Sequence, residues 1–228
     1  MKEKIISEFL GTYFLVFAGT GAVVIDTMTK SLTHVGVAIT FGLVVMALIY
    51  TFGHISGAHF NPAVTIGFLI HKDITKKEAV YYIVTQIIAG IAASLTIFSL
   101  FGKVASLGAT LPSGTWSQSF VLEFILTFFL MFVIFGAAVH GKAEKSFAGM
   151  AIGATVGLEA MFGGPISGAS MNPARSIGPA IVSGTLQHLW VYIIATILGA
   201  MCAAIIYKLL EDKENSPIDE PVRAKTEA

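Results

Sequence analysis

The strongest constraint on the fold is a stretch that occurs twice. Gly53–Thr65 reads GHISGAHFNPAVT, and Gly164–Ser176 reads GPISGASMNPARS. Aligned on Asn-Pro-Ala, Gly53, Ile55, Ser56, Gly57, Ala58, Asn61, Pro62 and Ala63 recur as Gly164, Ile166, Ser167, Gly168, Ala169, Asn172, Pro173 and Ala174. The copies lie 111 residues apart in a chain of 228, about half its length. One such triplet carries little information, but two in the same flanking context mark an internal duplication. Both copies are too polar and too rich in Gly and Pro for ordinary membrane-spanning helices. Yet each lies between long apolar runs.

Those runs set the class. With 55% hydrophobic residues, 12% charged residues and a mean hydropathy of +0.79, the chain is not a soluble globular protein. Six segments approach the ~20 apolar residues that a spanning helix needs: 5–25, 34–53, 79–101, 118–139, 147–163 and 187–209. The first lacks a clear cleavage site and is expected to be retained as a helix. Basic and acidic residues cancel, so no net field calls for a nucleic-acid partner. The single Cys202 excludes an intrachain disulfide and a Cys-based metal site, and it is expected to be a buried small residue.

Each repeated stretch is followed by an apolar run too short to cross a membrane, Val64–Ile70 and Ser176–Val182. Asn before Pro is the start of a helix, because Asn caps free N–H groups and Pro tolerates the first helical position. Two re-entrant half-helices are therefore predicted. Glu8-x-x-x-Thr12 and Glu123-x-x-x-Thr127 recur near the start of the first and fourth spans. Each repeat holds three spans, an odd number, so the second must enter from the opposite side. The expected architecture is all-α: six transmembrane helices plus two half-helices in inverted repeats, about 5–101 and 118–209. It forms one domain, 1–210, with a solvated, disordered tail over 211–228.

Lys2, Lys4, Lys72, Lys76, Lys77, Lys142, Lys145, Lys208, Lys213, Arg223 and Lys225 collect on one side, against Lys30 and Lys103 on the other. Both termini are expected on the cytoplasmic side.

Irregular backbone at membrane depth must be buried in protein or line a water-filled cavity. The two half-helices are expected to meet near the midplane, with Asn61 facing Asn172 and each helix contributing a positive dipole end of roughly half a charge. A water between the two amides accepts from both, which interrupts a proton-conducting chain, and the positive ends repel cations. The loops Gly57, Ala58, His59, Phe60 and Gly168, Ala169, Ser170, Met171 are expected to present carbonyl acceptors. Glu8 and Glu123 are expected to accept backbone N–H groups of those loops.

The paired Asn61-Pro62-Ala63 and Asn172-Pro173-Ala174 motifs, the inverted halves and Asn-Pro-Ala-Arg-Ser resemble the aquaporin, or major intrinsic protein, family over about residues 5–209. The resemblance implies a passive channel in the plasma membrane, a homotetramer with one pore per subunit. It would carry water and small neutral solutes and have no enzymatic activity, cofactor or metal. It also implies a selectivity constriction of Phe41, Ala160, Ala169 and Arg175. Water-selective members carry His where this chain has Ala160. Two alanines imply a wider, less polar constriction, suited to glycerol, urea or a metalloid acid as well as water. Met161 or Phe162 could refill the space, so a strictly water-selective channel stays open. Ser176 stands where glycerol facilitators carry Asp, and Gly164–Met171 with Tyr192 resembles the nodulin-type members and their bacterial relatives. A proton-coupled transporter also uses broken helices and inverted repeats, but it needs a titratable group where this chain has asparagines.

Overall fold

The computed structural model describes residues 1–141 and 143–214. The helices are α1 (Lys2–Thr29), α2 (Thr33–Ser56), α3 (Pro62–His71), α4 (Lys76–Phe101), α5 (Trp116–Ile134), α6 (Ala148–Ser167), α7 (Pro173–Ser183) and α8 (Leu189–Glu214). Among the described residues, six helices are long and apolar enough to cross a membrane, and the span of α5 runs on through a π-helical turn, Phe135–Val139. The chain is thus built as a multi-pass membrane protein. Spans come out two to five residues longer at several ends than the hydropathy runs indicated, because polar caps extend them. Thr75, for example, starts α4 in a full capping box with Glu78.

The duplication is visible in the packing. In the first repeat α1 packs on α2 and α4; in the second α5 packs on α6 and α8. The two halves meet along α2 and α6. The half-helices are exchanged: α3 packs against α8 of the other repeat, and α7 against α4. Gly90 and Gly178 let the α4 and α7 backbones touch, and Gly199 does the same for α8 against Phe124 of α5. Side chains at these three positions would strike backbone atoms.

Two expectations need adjusting. The last helix continues to Glu214, past the expected boundary at 210, while the rest of the expected tail, 215–228, lies outside the described residues. Cys202 is half-buried rather than enclosed. In the Phe-rich run 124–135, Phe129 is exposed, while Phe135 is completely buried between Phe68, His71 and Tyr207.

Candidate functional site

Helix α2 ends at Gly57 and α6 at Gly168, both left-handed (φ 85° and 88°). Beyond them, Ala58, Phe60, Ala169 and Met171 also hold positive φ, between 41° and 53°. Such conformations cost non-glycine residues of order 1–3 kcal/mol each and persist only where the surroundings over-determine them. Here two buried carboxylates do so. Glu8 accepts from His59 N (2.9 Å) and Phe60 N (2.7 Å), and also from Ser56 Oγ and Gln86 Nε2. Glu123 accepts from Ser170 N (2.8 Å), Met171 N (2.9 Å) and Ser167 Oγ (2.7 Å). Each glutamate grips the loop of its own repeat.

Each loop then turns into a half-helix. Asn61 Oδ1 accepts from Ala63 N at 2.9 Å, and Asn172 Oδ1 accepts from Ala174 N at 2.9 Å, with Pro62 and Pro173 in the first turn. The amide nitrogens cross over. Asn61 Nδ2 donates to Met171 O (2.7 Å), and Asn172 Nδ2 donates to Phe60 O (2.9 Å). One N–H of each amide therefore ties the repeats together, leaving one for the lumen. The last carbonyl of each loop is used in this tie, so the acceptors left for the lumen come from the residues before it.

Arg175, on the first turn of α7, is buried. Its Nη1 donates to Gly108 O at 2.8 Å, and its Cζ lies 5.0 Å from the centre of the Phe41 ring. Gly108 ends a short turn, Ala105–Gly108, in the connection between α4 and α5. Sequence reasoning did not find that partner. Nor did it find the hydroxyl chain in which Ser176 joins Thr110 (2.8 Å) and Ser170 (2.5 Å), tying the same connection to the second loop. Ala160 and Ala169 are both buried.

A cavity of about 500 Å³ lies inside the molecule, and its lining includes Tyr50, His54 and Lys145 as well as Phe41, Ala169 and Arg175. Asn61, Asn172 and loop residues Gly57, Ala58, His59, Phe60, Ser170 and Met171 line it too. Ala160 and Gly168 are not among its lining residues. The His59 ring is packed rather than free: it stacks on Phe68 at 4.3 Å, and its Nδ1 meets Thr65 Oγ1 at 3.1 Å. Met161 and Phe162 are exposed, while His34 holds the Met161 carbonyl at 2.7 Å.

The sequence model of the family described as "Major intrinsic protein" matches residues 1–207. The chain belongs to the major intrinsic protein family. Among its relatives, Aquaporin NIP1-2 of Arabidopsis thaliana is 46% identical over 99% of this chain and 78% of the relative. Nodulin-26 of Glycine max is 45% identical over 97% of this chain and 82% of the relative. The fold is similar to the X-ray structure of the aquaglyceroporin from Plasmodium falciparum, with a TM-score of 0.79 and 24% identity over 93% of this chain and 97% of that one. This major intrinsic protein is accordingly a membrane channel for water and small solutes, not an enzyme.

Proposed function

We propose that the channel passes water together with small uncharged polar solutes (glycerol, urea or a metalloid acid) and excludes protons and ions. The observation that carries this reading is the pairing of Arg175 with Phe41 in a cavity wall that also holds Ala169; the family resemblance assigns Ala160, buried just outside that wall, to the same constriction, and both alanines are the smallest side chains with a Cβ. Arg175 keeps donors for a solute hydroxyl, Phe41 lies along its carbon backbone, and the alanines leave room. The exposure of Met161 and Phe162 supports that room staying open. Ion exclusion rests on the buried Arg175 charge and on two half-helix N-termini capped by Asn61 and Asn172.

In this reading residues 1–210 form a single channel domain. Its termini face the cytoplasm of the plasma membrane, where the lysine-rich connections belong. Its exposed apolar helix faces, which include Leu43 of α2 and Leu158 of α6, are covered by lipid and by three further copies in a homotetramer.

Ala160→His tests the filter. It adds bulk and a polar ring at a position the proposal assigns to the filter, so glycerol-driven swelling of proteoliposomes is expected to fall at least about tenfold, which corresponds to ~1.4 kcal/mol of added barrier. Water permeability is expected to stay within a few-fold. Equal glycerol flux in both proteins would mean that position 160 does not face the solute path.

A further inference from the structure

Four successive residues of the connection between α4 and α5 are left-handed: Ala105, Ser106, Leu107 and Gly108, with φ of 48°, 47°, 57° and 74°. Left-handed backbone is met as single residues, and glycine alone adopts it without crowding a Cβ. Three of these four carry a Cβ, and none is Asn or Asp. Such a run persists only where its surroundings hold it. Two bonds close the turn, Leu107 N to Val104 O (2.8 Å) and Ala109 N to Ser106 O (3.1 Å), but a turn of either hand can make bonds of this kind.

One side chain of the turn is fixed. Leu107 is fully buried in a small apolar cluster, distinct from the main core, with Val24 of α1 and Ile97 of α4, and Val182 of α7 packs against that cluster. Ala105 is exposed and Ser106 half-buried, so neither anchors the turn. Gly108 follows at once, so close to α1 that a Cβ there would lie 2.8 Å from Thr20 Cβ. Its carbonyl is thereby aimed at the first turn of α7, where it takes the 2.8 Å bond from Arg175 Nη1. Among the described residues it is the only hydrogen-bond acceptor of the Arg175 guanidinium, and the buried Nε has none.

We propose, on the reading of Arg175 as a member of the constriction, that Leu107 is a positioning residue for Arg175. Its burial holds the turn Ala105–Gly108 left-handed, and the turn holds Gly108 O against the guanidinium. Without the anchor the turn relaxes toward right-handed backbone and Gly108 O withdraws. The guanidinium, with five N–H donors and no protein acceptor, then swings from the wall it shares with Phe41 into the cavity and obstructs it. Thr110 and Ser113 do not replace the anchor. They tie the connection beyond Gly108, to Ser176 Oγ (2.8 Å) and to Ile166 O (2.9 Å), and leave the hand of the turn unset.

The test reads Arg175 directly by nuclear magnetic resonance. The chain has two arginines, Arg175 and Arg223, so isotopic labelling of arginine nitrogen in an Arg223→Lys parent reports on the Arg175 guanidinium alone. A held guanidinium gives separate Nη resonances, and a free one gives an averaged resonance. The parent is expected to show the first pattern, and so is Leu107→Met, which keeps the anchor. Leu107→Ala is expected to show the second, with water permeability of proteoliposomes several-fold lower. Ser106→Val leaves the cluster intact but puts a β-branched side chain at left-handed φ, so it is expected to free Arg175 as well, and it decides the matter where Leu107→Ala does not fold. A triple variant adds Ala105→Gly and Ser106→Gly to Leu107→Ala. Glycine restores no packing, yet it removes the penalty on the left-handed turn, so the separate resonances and most of the lost permeability are expected to return. A leucine that only fills its cluster would gain nothing from those glycines. The proposal is overturned if the parent shows an averaged resonance, if Leu107→Ala or Ser106→Val keeps the parent pattern, or if the two glycines rescue nothing. Averaged resonances with parental permeability would support the anchor and contradict instead the place of Arg175 in the constriction.

Discussion

Glu123→Ala is expected to abolish water and solute flux and to destabilise the folded protein by about 2–6 kcal/mol. The substitution leaves Ser170 N and Met171 N buried without acceptors, each costing about 1–3 kcal/mol. It also removes the constraint that keeps Ala169 and Met171 in left-handed backbone, so the loop relaxes instead of waiting for a replacement partner. Relaxation moves Met171 O, the acceptor for Asn61, and so breaks the tie between the repeats. Glu123→Gln keeps one acceptor oxygen and should fall between the two. The thermal midpoint in detergent reads the stability, and stopped-flow swelling reads the flux. A Glu123→Ala channel with wild-type midpoint and permeability would show that the loop holds its shape without the carboxylate.

Gly178→Val is the second large effect. A Cβ at Gly178 would sit 2.3 Å from the Gly90 carbonyl oxygen and 2.5 Å from its carbon, and a Cβ at Gly90 would meet Ala174 O at 2.6 Å. These are backbone atoms of two helices already in contact, so no flexible side-chain end can yield. α7 must move away from α4, and with it go Asn172 and Arg175, which begin that helix. Overpacking of this kind typically costs 1–3 kcal/mol, and more where backbone is displaced. Loss of folded protein, or a folded channel with strongly reduced flux, is the expected result. Gly21→Ala is the control. Its Cβ would meet only Ile97 Cδ1, at 3.9 Å, and alanine gains up to about 1 kcal/mol of helix propensity there. Expression and thermal midpoint of the two variants should therefore diverge; equal behaviour would mean that the α4–α7 contact is looser than described.

The parts of the site that could be read from sequence are those in which one local pattern carries the chemistry. Asn-Pro announces a capped helix start, and both half-helices begin at Pro62 and Pro173 as that chemistry requires. An acid inside an apolar span needs donors, and Glu8 and Glu123, expected to take them from the re-entrant loops, accept from the two loops. What stayed hidden joins distant segments with no pattern of its own. Gly108 O meets Arg175 across 67 residues, and Thr110 meets Ser176 across 66. The connection that supplies both is an irregular stretch whose composition does not betray that it folds back over α7. The crossing of the Asn amides to Phe60 O and Met171 O, 112 and 110 residues away, was hidden for the same reason. A main-chain acceptor carries no residue-type signature.

The wide-filter channel is tested most directly by stopped-flow light scattering of proteoliposomes holding the wild-type protein, first under a sucrose gradient and then under a glycerol gradient. Rapid shrinking in sucrose followed by rapid reswelling in glycerol, both well above protein-free vesicles, is the predicted result. Rapid water flux with glycerol excluded would contradict it and show that the space beside Ala160 and Ala169 is closed.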